Sequence, residues 1–516
     1  MVMLLVVLCI LVSCTQQLYA QENFEEYKRR FKSMFETHKK VQACGFEEYR
    51  KRLNAEYALY MRQAWSEYNV NPAKPVPQRK EPIGPVVKTP REQSELVKPI
   101  PEKKPIAEPG KPVEEHENEV QLPFDNIVVP DKSIRPLAPV ISPETKPVLP
   151  TVPGHTFSYY GMVCKIAGMN STHSFSLKGV KEDDVADAWE ILSGENYLPI
   201  LSQCDDYRKK LNLCDWGYVR FLQEMTTNFF SVSQNNEAVL LQIYLLVQSG
   251  YKVRMARTDD NRLVMLIPIE HDVYNYSYLT VDGISYYVID KRGTAKTFYL
   301  YNRAFSKEIS LSLYMPSPPI LQVAGVKTTI RTLTSKKDVS VTIETDKNII
   351  DFYNDYPISS QWGYYSMASL SENIKQGLYP ILQKYMKGLS KVQSVDLLLN
   401  FVQTAFEYKT DGEQFGYERP LFGDETLYYP YCDCEDRSIL FSIFVRDLLG
   451  LDVVLLNYPN HLSTAVKFDE DVNGDHVILD GDKYVICDPT YIGAGIGDAM
   501  PSSRNKSAII HRIINE

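Results

Sequence analysis

Tyr429-Pro430-Tyr431-Cys432-Asp433-Cys434-Glu435-Asp436-Arg437-Ser438 is the stretch on which the fold turns. Its first half is turn-prone. Where it ends, an apolar pattern begins, with Ile439, Leu440, Ile443, Phe444 and Leu448 at helical spacing. Gly450 then offers a residue without a Cβ for a left-handed C-terminal cap. Cys434 therefore falls at a helix N-terminus. A thiolate there meets unpaired N–H groups and the positive end of the helix dipole, which favour the charged, nucleophilic form. The same N–H groups can later hold an oxyanion.

A cysteine nucleophile needs a base, and the chain has eight histidines, three of them (His461, His476 and His511) between residue 346 and the end. His461 opens His461-Leu462-Ser463-Thr464-Ala465-Val466-Lys467-Phe468, whose alternation predicts a strand, and it follows a Tyr458-Pro459-Asn460 turn. Asp488 ends the strand-like run Tyr484-Val485-Ile486-Cys487, before Pro489-Thr490, and is the acceptor that would orient the imidazole. Cys434 to His461 and His461 to Asp488 are both 27 positions. His476 follows Asn473-Gly474-Asp475, a hairpin-turn signature that predicts a surface position. Cys432 competes with Cys434, but helical phase favours Cys434. Two thiols at Cys432-Asp433-Cys434 without a second cysteine pair nearby make a poor metal motif. No metal or cofactor is expected.

Cysteine at a helix start, histidine on a strand and aspartate after the next strand is an order that resembles the transglutaminase-like superfamily, whose core is papain-like. The matching pieces are Cys434-Glu435-Asp436-Arg437-Ser438, His461-Leu462-Ser463-Thr464-Ala465-Val466 and Asp488-Pro489-Thr490-Tyr491. They look like the bacterial branch, often found in exported proteins. The resemblance covers roughly 380–505. It implies that Cys434 is the nucleophile, His461 the general base and acid, and Asp488 the residue that orients His461. The implied chemistry is acyl transfer through a thioester: amide hydrolysis, deamidation or cross-linking. A protein that keeps the scaffold only to bind or assemble is the alternative.

The region upstream carries a degenerate copy. Gln234-Asn235-Asn236-Glu237-Ala238-Val239-Leu240-Leu241 runs as a helical pattern to Gly250, and the step from Gln234 to Gly250 equals that from Cys434 to Gly450. Gly283-Ile284-Ser285-Tyr286-Tyr287-Val288-Ile289-Asp290 matches the run Gly481 to Asp488. Gln234 then stands for Cys434, and counting from each glycine puts Asn261 at the place of His461. Such a unit lacks cysteine chemistry.

The expected fold is therefore α+β: a papain-like or transglutaminase-like core in which the cysteine helix packs on an antiparallel sheet, in two tandem units. The boundaries read as 1–20 export signal, 21–70 helical segment, 71–155 proline-rich linker, 156–345 degenerate unit and 346–516 catalytic unit. Met3 to Val12 is one apolar run, too short to span a bilayer. Leu11-Val12-Ser13-Cys14 resembles a lipobox, which would lipidate Cys14; Leu18-Tyr19-Ala20 before Gln21 resembles an ordinary cleavage site. Nineteen of the 31 prolines lie between Pro72 and Pro153. Proline removes backbone donors, so this stretch reads as an extended tether, with a strand-like patch at Asn126-Ile127-Val128-Val129. Nine dispersed cysteines, seven beyond the signal, leave at least one thiol unpaired. The net charge of −9 shows no basic stripe, which argues against nucleic acid as a partner. The expected partner is a protein or peptide substrate in the cell envelope, with the membrane touched only through a lipid on Cys14.

Overall fold

The computed structural model describes residue 48, residues 50–77, 85–88 and 119–129, and residues 153–513 apart from 195–196, 270, 291–294, 302–307, 333–339 and 360. The export signal, Cys14, residues 21–47 and most of the proline-rich stretch lie outside the described residues. The protein is a mixed α+β fold with several antiparallel sheets. In chain order its strands are β1 (Ser66–Asn69), β2 (Phe124–Val128), β3 (Gly154–Tyr159), β4 (Met162–Ala167), β5 (Arg254–Thr258), β6 (Leu263–Pro268), β7 (Tyr278–Val281), β8 (Ile284–Ile289) and β9 (Thr297–Leu300). Then come β10 (Lys327–Thr332), β11 (Ser340–Thr345), β12 (Glu407–Tyr408), β13 (Tyr431–Cys432), β14 (Asp452–Tyr458), β15 (His461–Lys467), β16 (His476–Leu479), β17 (Asp482–Cys487) and β18 (Ala508–Arg512). Among the described residues, no helix is long and apolar enough to cross a membrane.

Two six-stranded sheets dominate, and their strand orders correspond one to one. The first runs β1-β9-β5-β6-β8-β7 and the second β2-β18-β14-β15-β17-β16. Each sheet has a helix lying on it that immediately precedes its hairpin: Asn235–Gln248 on β5 and β6, Cys434–Leu449 on β14 and β15. Both helices are buried nearly all round, because one side meets the sheet and the other meets neighbouring helices. Registers agree too. Met265 pairs with Ile289 where Thr464 pairs with Cys487. The sheets differ at the edge strand from the N-terminal half: β1 joins β9 antiparallel, whereas β2 joins β18 parallel.

The correspondence corrects one alignment. Thr258 pairs across its turn with Arg262, through Thr258 N–H to Arg262 O at 2.9 Å, whereas Tyr458 pairs with His461. The first hairpin thus holds one more turn residue. Asn261 occupies that turn in the left-handed region (φ 59°), and Arg262, not Asn261, matches His461. Counting from a glycine does not detect a one-residue insertion between strands.

The N-terminal half straps onto both sheets. Residues 50–61 are helical, but Ser66–Asn69 is strand rather than a continuation of the helix, since the exposed edge of β9 offers backbone partners there. Tyr57 anchors the helix, packing on Trp189 at 4.5 Å and on Tyr301 at 5.5 Å between ring centroids. The strand-like patch near 126–129 is β2, and Leu122 beside it is buried in the core of the second sheet.

Candidate active site

The helix bearing the cysteine begins at Cys434 and stops at Gly450, whose φ of 63° suits a glycine. Asp433 is its N-cap, and Asp436 reaches back to accept the Asp433 N–H through Oδ2 at 3.3 Å. The motif residues that follow fix this helix end. Arg437, fully buried, donates to Gln403 O at 3.2 Å and Phe406 O at 2.8 Å. Ser438, one turn along from Cys434 on the same face, donates to Leu462 O at 2.9 Å. That bond ties the cysteine end of the helix to the first residues of β15, where His461 sits.

His461 Nε2 lies 2.8 Å from Asp488 Oδ2. Asp488 follows β17 and is pinned by two further bonds to its Oδ1, from Thr490 N–H at 2.9 Å and Tyr491 N–H at 3.2 Å. Burial works against its charge, but His461 and these hydrogen bonds prevail and hold the carboxyl below its usual range. An ionised Asp488 keeps the imidazole hydrogen on Nε2 and leaves Nδ1 with the lone pair. Nδ1 is buried and makes no hydrogen bond.

The three side chains are deeply enclosed, with Cys434 0%, His461 3% and Asp488 1% exposed. The expected bond between Cys434 and His461 is not made. The thiol donates to Glu435 Oε2 at 3.2 Å, the side chain next in sequence. Cys487 is a core residue whose thiol burial pushes well up. Cys432 is buried in β13, and its thiol is also raised by burial. His476 is not a surface residue: it opens β16, half-buried, with Nδ1 2.8 Å from Glu119, because the strap delivers that carboxylate.

Two features escape a reading by motif. Gln403 Nε2 donates to Asp488 O, Tyr491 O and Ala494 O at 3.0, 2.9 and 3.1 Å, clasping the loop that carries Asp488. Around the helix N-terminus lie the buried carboxylates Asp411, Glu418, Asp433, Glu435 and Asp436, arranged in two tight trios. Asp433, Glu435 and Asp436 stood in the motif itself, whereas Asp411, which opens the short helix Asp411–Gln414, and Glu418, which follows that helix, carry no sequence signal. Beside the His461 hairpin is a cavity of about 360 Å³, lined by Glu418, Pro420, Tyr458 and Pro459, with Val76 and Pro77 of the strap on another wall.

The degenerate unit repeats the layout with other side chains. Arg262 Nη1 lies 2.6 Å from Asp290 Oδ2, at the strand positions of His461 and Asp488. Gln234 is the N-cap residue of the first unit's helix, without a side-chain capping bond, whereas Cys434 is the first helical residue of its own, after the N-cap Asp433. Asn236 accepts the Leu263 N–H at 2.9 Å, a helix-to-hairpin tie like that of Ser438 to Leu462. No protein-family model matches the chain, and neither a curated protein nor a solved structure matches it.

Proposed function

We propose that this chain is an exported cysteine hydrolase or acyltransferase built from two tandem transglutaminase-like units, the second catalytic, which opens amide bonds of peptides through a thioester on Cys434. The observation that carries the reading is the 2.8 Å contact between His461 Nε2 and Asp488 Oδ2, which leaves Nδ1 buried and unbonded on a strand tied to the Cys434 helix. In this scheme Nδ1 takes the thiol proton. The Cys434 sulfur attacks the amide carbonyl, and the tetrahedral oxyanion is held by N–H groups at the helix N-terminus. Collapse breaks the C–N bond, and His461 returns the proton to the leaving amine. Water or a second amine then attacks the thioester, and Cys434 regains its proton through His461. Asp488 keeps the ring in the required tautomer throughout. The substrate class is a protein or peptide of the cell envelope.

A second reading has its own support. Complete burial of Cys434, its thiol engaged by Glu435, and a first unit carrying Gln234 and Arg262 all suit a scaffold kept for binding or assembly. The two readings separate in one experiment. The full chain is incubated with amide-bearing envelope peptides and hydroxylamine, and products and intact mass are read by mass spectrometry. Hydroxamate formation that disappears in Cys434→Ala supports the enzyme. Its absence for every peptide, with no adduct on Cys434, overturns it in favour of the scaffold.

A further inference from the structure

The hairpin of β10 and β11 has an inner face of two kinds. On β11 that face is apolar, with Val341 and Ile343 buried. On β10 the cross-strand partners are polar or basic: Arg331 opposite Val341, Thr329 opposite Ile343 and Lys327 opposite Thr345. All three reach carbonyls at the end of the short helix Gly423–Tyr428. Lys327 Nζ donates to Tyr428 O at 2.7 Å, Thr329 Oγ1 to Leu427 O at 3.4 Å and Arg331 Nη2 to Tyr429 O at 2.8 Å. Such carbonyls need donors and not charge, as the Thr329 hydroxyl shows. Yet Lys327 and Arg331 are cations, and neither forms an ion pair among the described residues. Arg331 Nε is buried without a hydrogen-bond partner. Burial pushes both groups below their ordinary ranges; Arg331 adds to this at Lys327, while Cys432 and Glu407 oppose it at Arg331.

We propose that Lys327 and Arg331 together bind a carboxylate of a peptide ligand. Their carbonyl partners belong to adjacent residues, so the two charged heads converge although they start four positions apart on β10. Aromatic rings hold them in place: Lys327 Nζ stands 4.2 Å from the Tyr428 ring centroid and Arg331 Cζ 4.8 Å from that of Phe406. Both heads are partly desolvated, which strengthens their attraction for an anion, and the guanidinium fork matches a carboxylate. The net charge of −9 repels acidic peptides from the chain as a whole, so capture of one is a local property of this pair. The site borders Tyr431–Cys432, the short strand that leads into the Cys434 helix. The docked carboxylate therefore belongs to the substrate, as an acidic side chain or a chain end, and selects acidic peptides. This last step rests on the catalytic reading proposed above; the carboxylate site does not.

The test titrates the full chain into fluorescein-labelled hexaglutamate and reads anisotropy, with labelled hexaglutamine as the uncharged control. The Cys434→Ala chain is used, so that no turnover enters. Hexaglutamate is expected to bind, more weakly as salt rises, and hexaglutamine not to bind. Lys327→Gln and Arg331→Gln keep an N–H donor for the carbonyls and remove the charge; each is expected to weaken binding about tenfold. Lys327→Arg, which keeps the charge, should bind as the parent does, and so should Lys391→Gln, which removes one positive charge elsewhere. A readout free of substitutions uses a water-soluble carbodiimide, which joins a carboxylate to an amine it touches: the hexaglutamate crosslink should map to Lys327. Equal binding of both peptides, crosslinks only at other lysines, or glutamine variants that fold and bind undiminished would make the pair a capping device and overturn the site. Displacement of hexaglutamate by an equal concentration of inorganic phosphate would reassign it to phosphate and overturn the carboxylate. The substrate step is read separately in the chain with Cys434: Arg331→Gln should raise KM for acidic amide peptides and leave kcat unchanged. Binding without that change in KM overturns the substrate step and leaves the site standing.

Discussion

Arg262 and Asp290 form an ion pair at the two positions that match His461 and Asp488 in the other sheet, with Nη1 to Oδ2 at 2.6 Å against Nε2 to Oδ2 at 2.8 Å. Both pairs link the start of the second hairpin strand to the residue that follows its neighbour. One geometric slot, a buried acidic residue facing a cationic or polar partner, thus serves two chemistries. In the first unit a guanidinium, always charged, can only hold the strands together. In the second an imidazole can also carry a proton away.

The first prediction follows from this difference. Asp290→Ala leaves Arg262 without its buried partner, although Asp260 still pairs with it at 2.8 Å. The expected loss of stability is about 2 kcal/mol, below the value for a fully buried pair because Asp260 remains. Denaturant unfolding would measure it. Alkylation of Cys434 in the folded variant should be unchanged. A loss of thiol reactivity equal to that of Asp488→Ala would contradict the division of labour between the units.

Gln403 carries the second prediction. Its side-chain amide makes three bonds to the loop that bears Asp488, and its backbone carbonyl accepts from Arg437. Gln403→Leu keeps the volume and removes the three bonds, so that Asp488 O and Ala494 O lose this donor while Tyr491 O keeps the Ala494 N–H. A cost on the order of 3 kcal/mol is expected at about 1 kcal/mol per bond. The informative readout is the downfield NMR signal of the His461 Nε2 proton. It should broaden or vanish, because the loop no longer fixes Asp488. A sharp, unshifted signal would limit Gln403 to packing.

How far the sequence led depends on the range of each signal. The Cys434 helix start, its Gly450 cap, the His461 strand start and the Asp488 position are written in local patterns, and all four elements lie where those patterns put them. The order of the first sheet was hinted at by spacing, yet Arg262 was missed because a one-residue turn insertion is invisible when positions are counted from a glycine. Ser66–Asn69 reads as helix by periodicity, and becomes strand only because β9 offers an edge. The carboxylate cluster was unreadable for the same kind of reason. Glu418 stands 17 positions before Glu435 (435 − 418), outside any pattern that would mark it as a neighbour, and only the packing of its segment over the helix N-terminus brings the two together.

Asp424 gives a pH-dependent prediction. It is buried at the start of the short helix Gly423–Tyr428, where desolvation pushes its carboxyl up to about 6 despite the Ser371 N–H bound to Oδ1 at 3.0 Å. A carboxyl raised on folding contributes stability that is fully present below its unfolded value near 4 and is lost as pH rises through about 6. The wild-type chain should therefore lose on the order of 3 kcal/mol from this group between those limits. Asp424→Asn, which keeps the shape without the charge, should flatten the stability profile over that window. Urea midpoints measured across it would decide. An unchanged slope would show that Asp424 is ionised at no cost in the folded chain.

The thiol itself carries the last prediction. Cys434 stands at a helix N-terminus, where N–H groups and the dipole favour a negative sulfur, but Glu435 takes its hydrogen and the residue is fully buried. Burial predicts slow labelling by a bulky reagent and faster labelling by a small one such as iodoacetamide, because the enclosed thiol must first become accessible. The chemistry then depends on His461. With Nδ1 as acceptor, alkylation should persist below the ordinary thiol range of about 8.5. His461→Ala should remove that low-pH reactivity, and Glu435→Gln should increase it by removing the competing carboxylate charge. Asp488→Ala should reduce it less than His461→Ala, since Asp488 orients the base and does not itself accept the thiol proton. Cys487 is the internal control: it is equally buried, and its thiol is raised far above the ordinary range. Mass-spectrometric rates for both cysteines across pH 5 to about 9 bracket the His461 and thiol ranges. Equal rates at Cys434 and Cys487, unaffected by His461→Ala, would mean that the imidazole and the thiol do not communicate, and the binding scaffold would be the reading left.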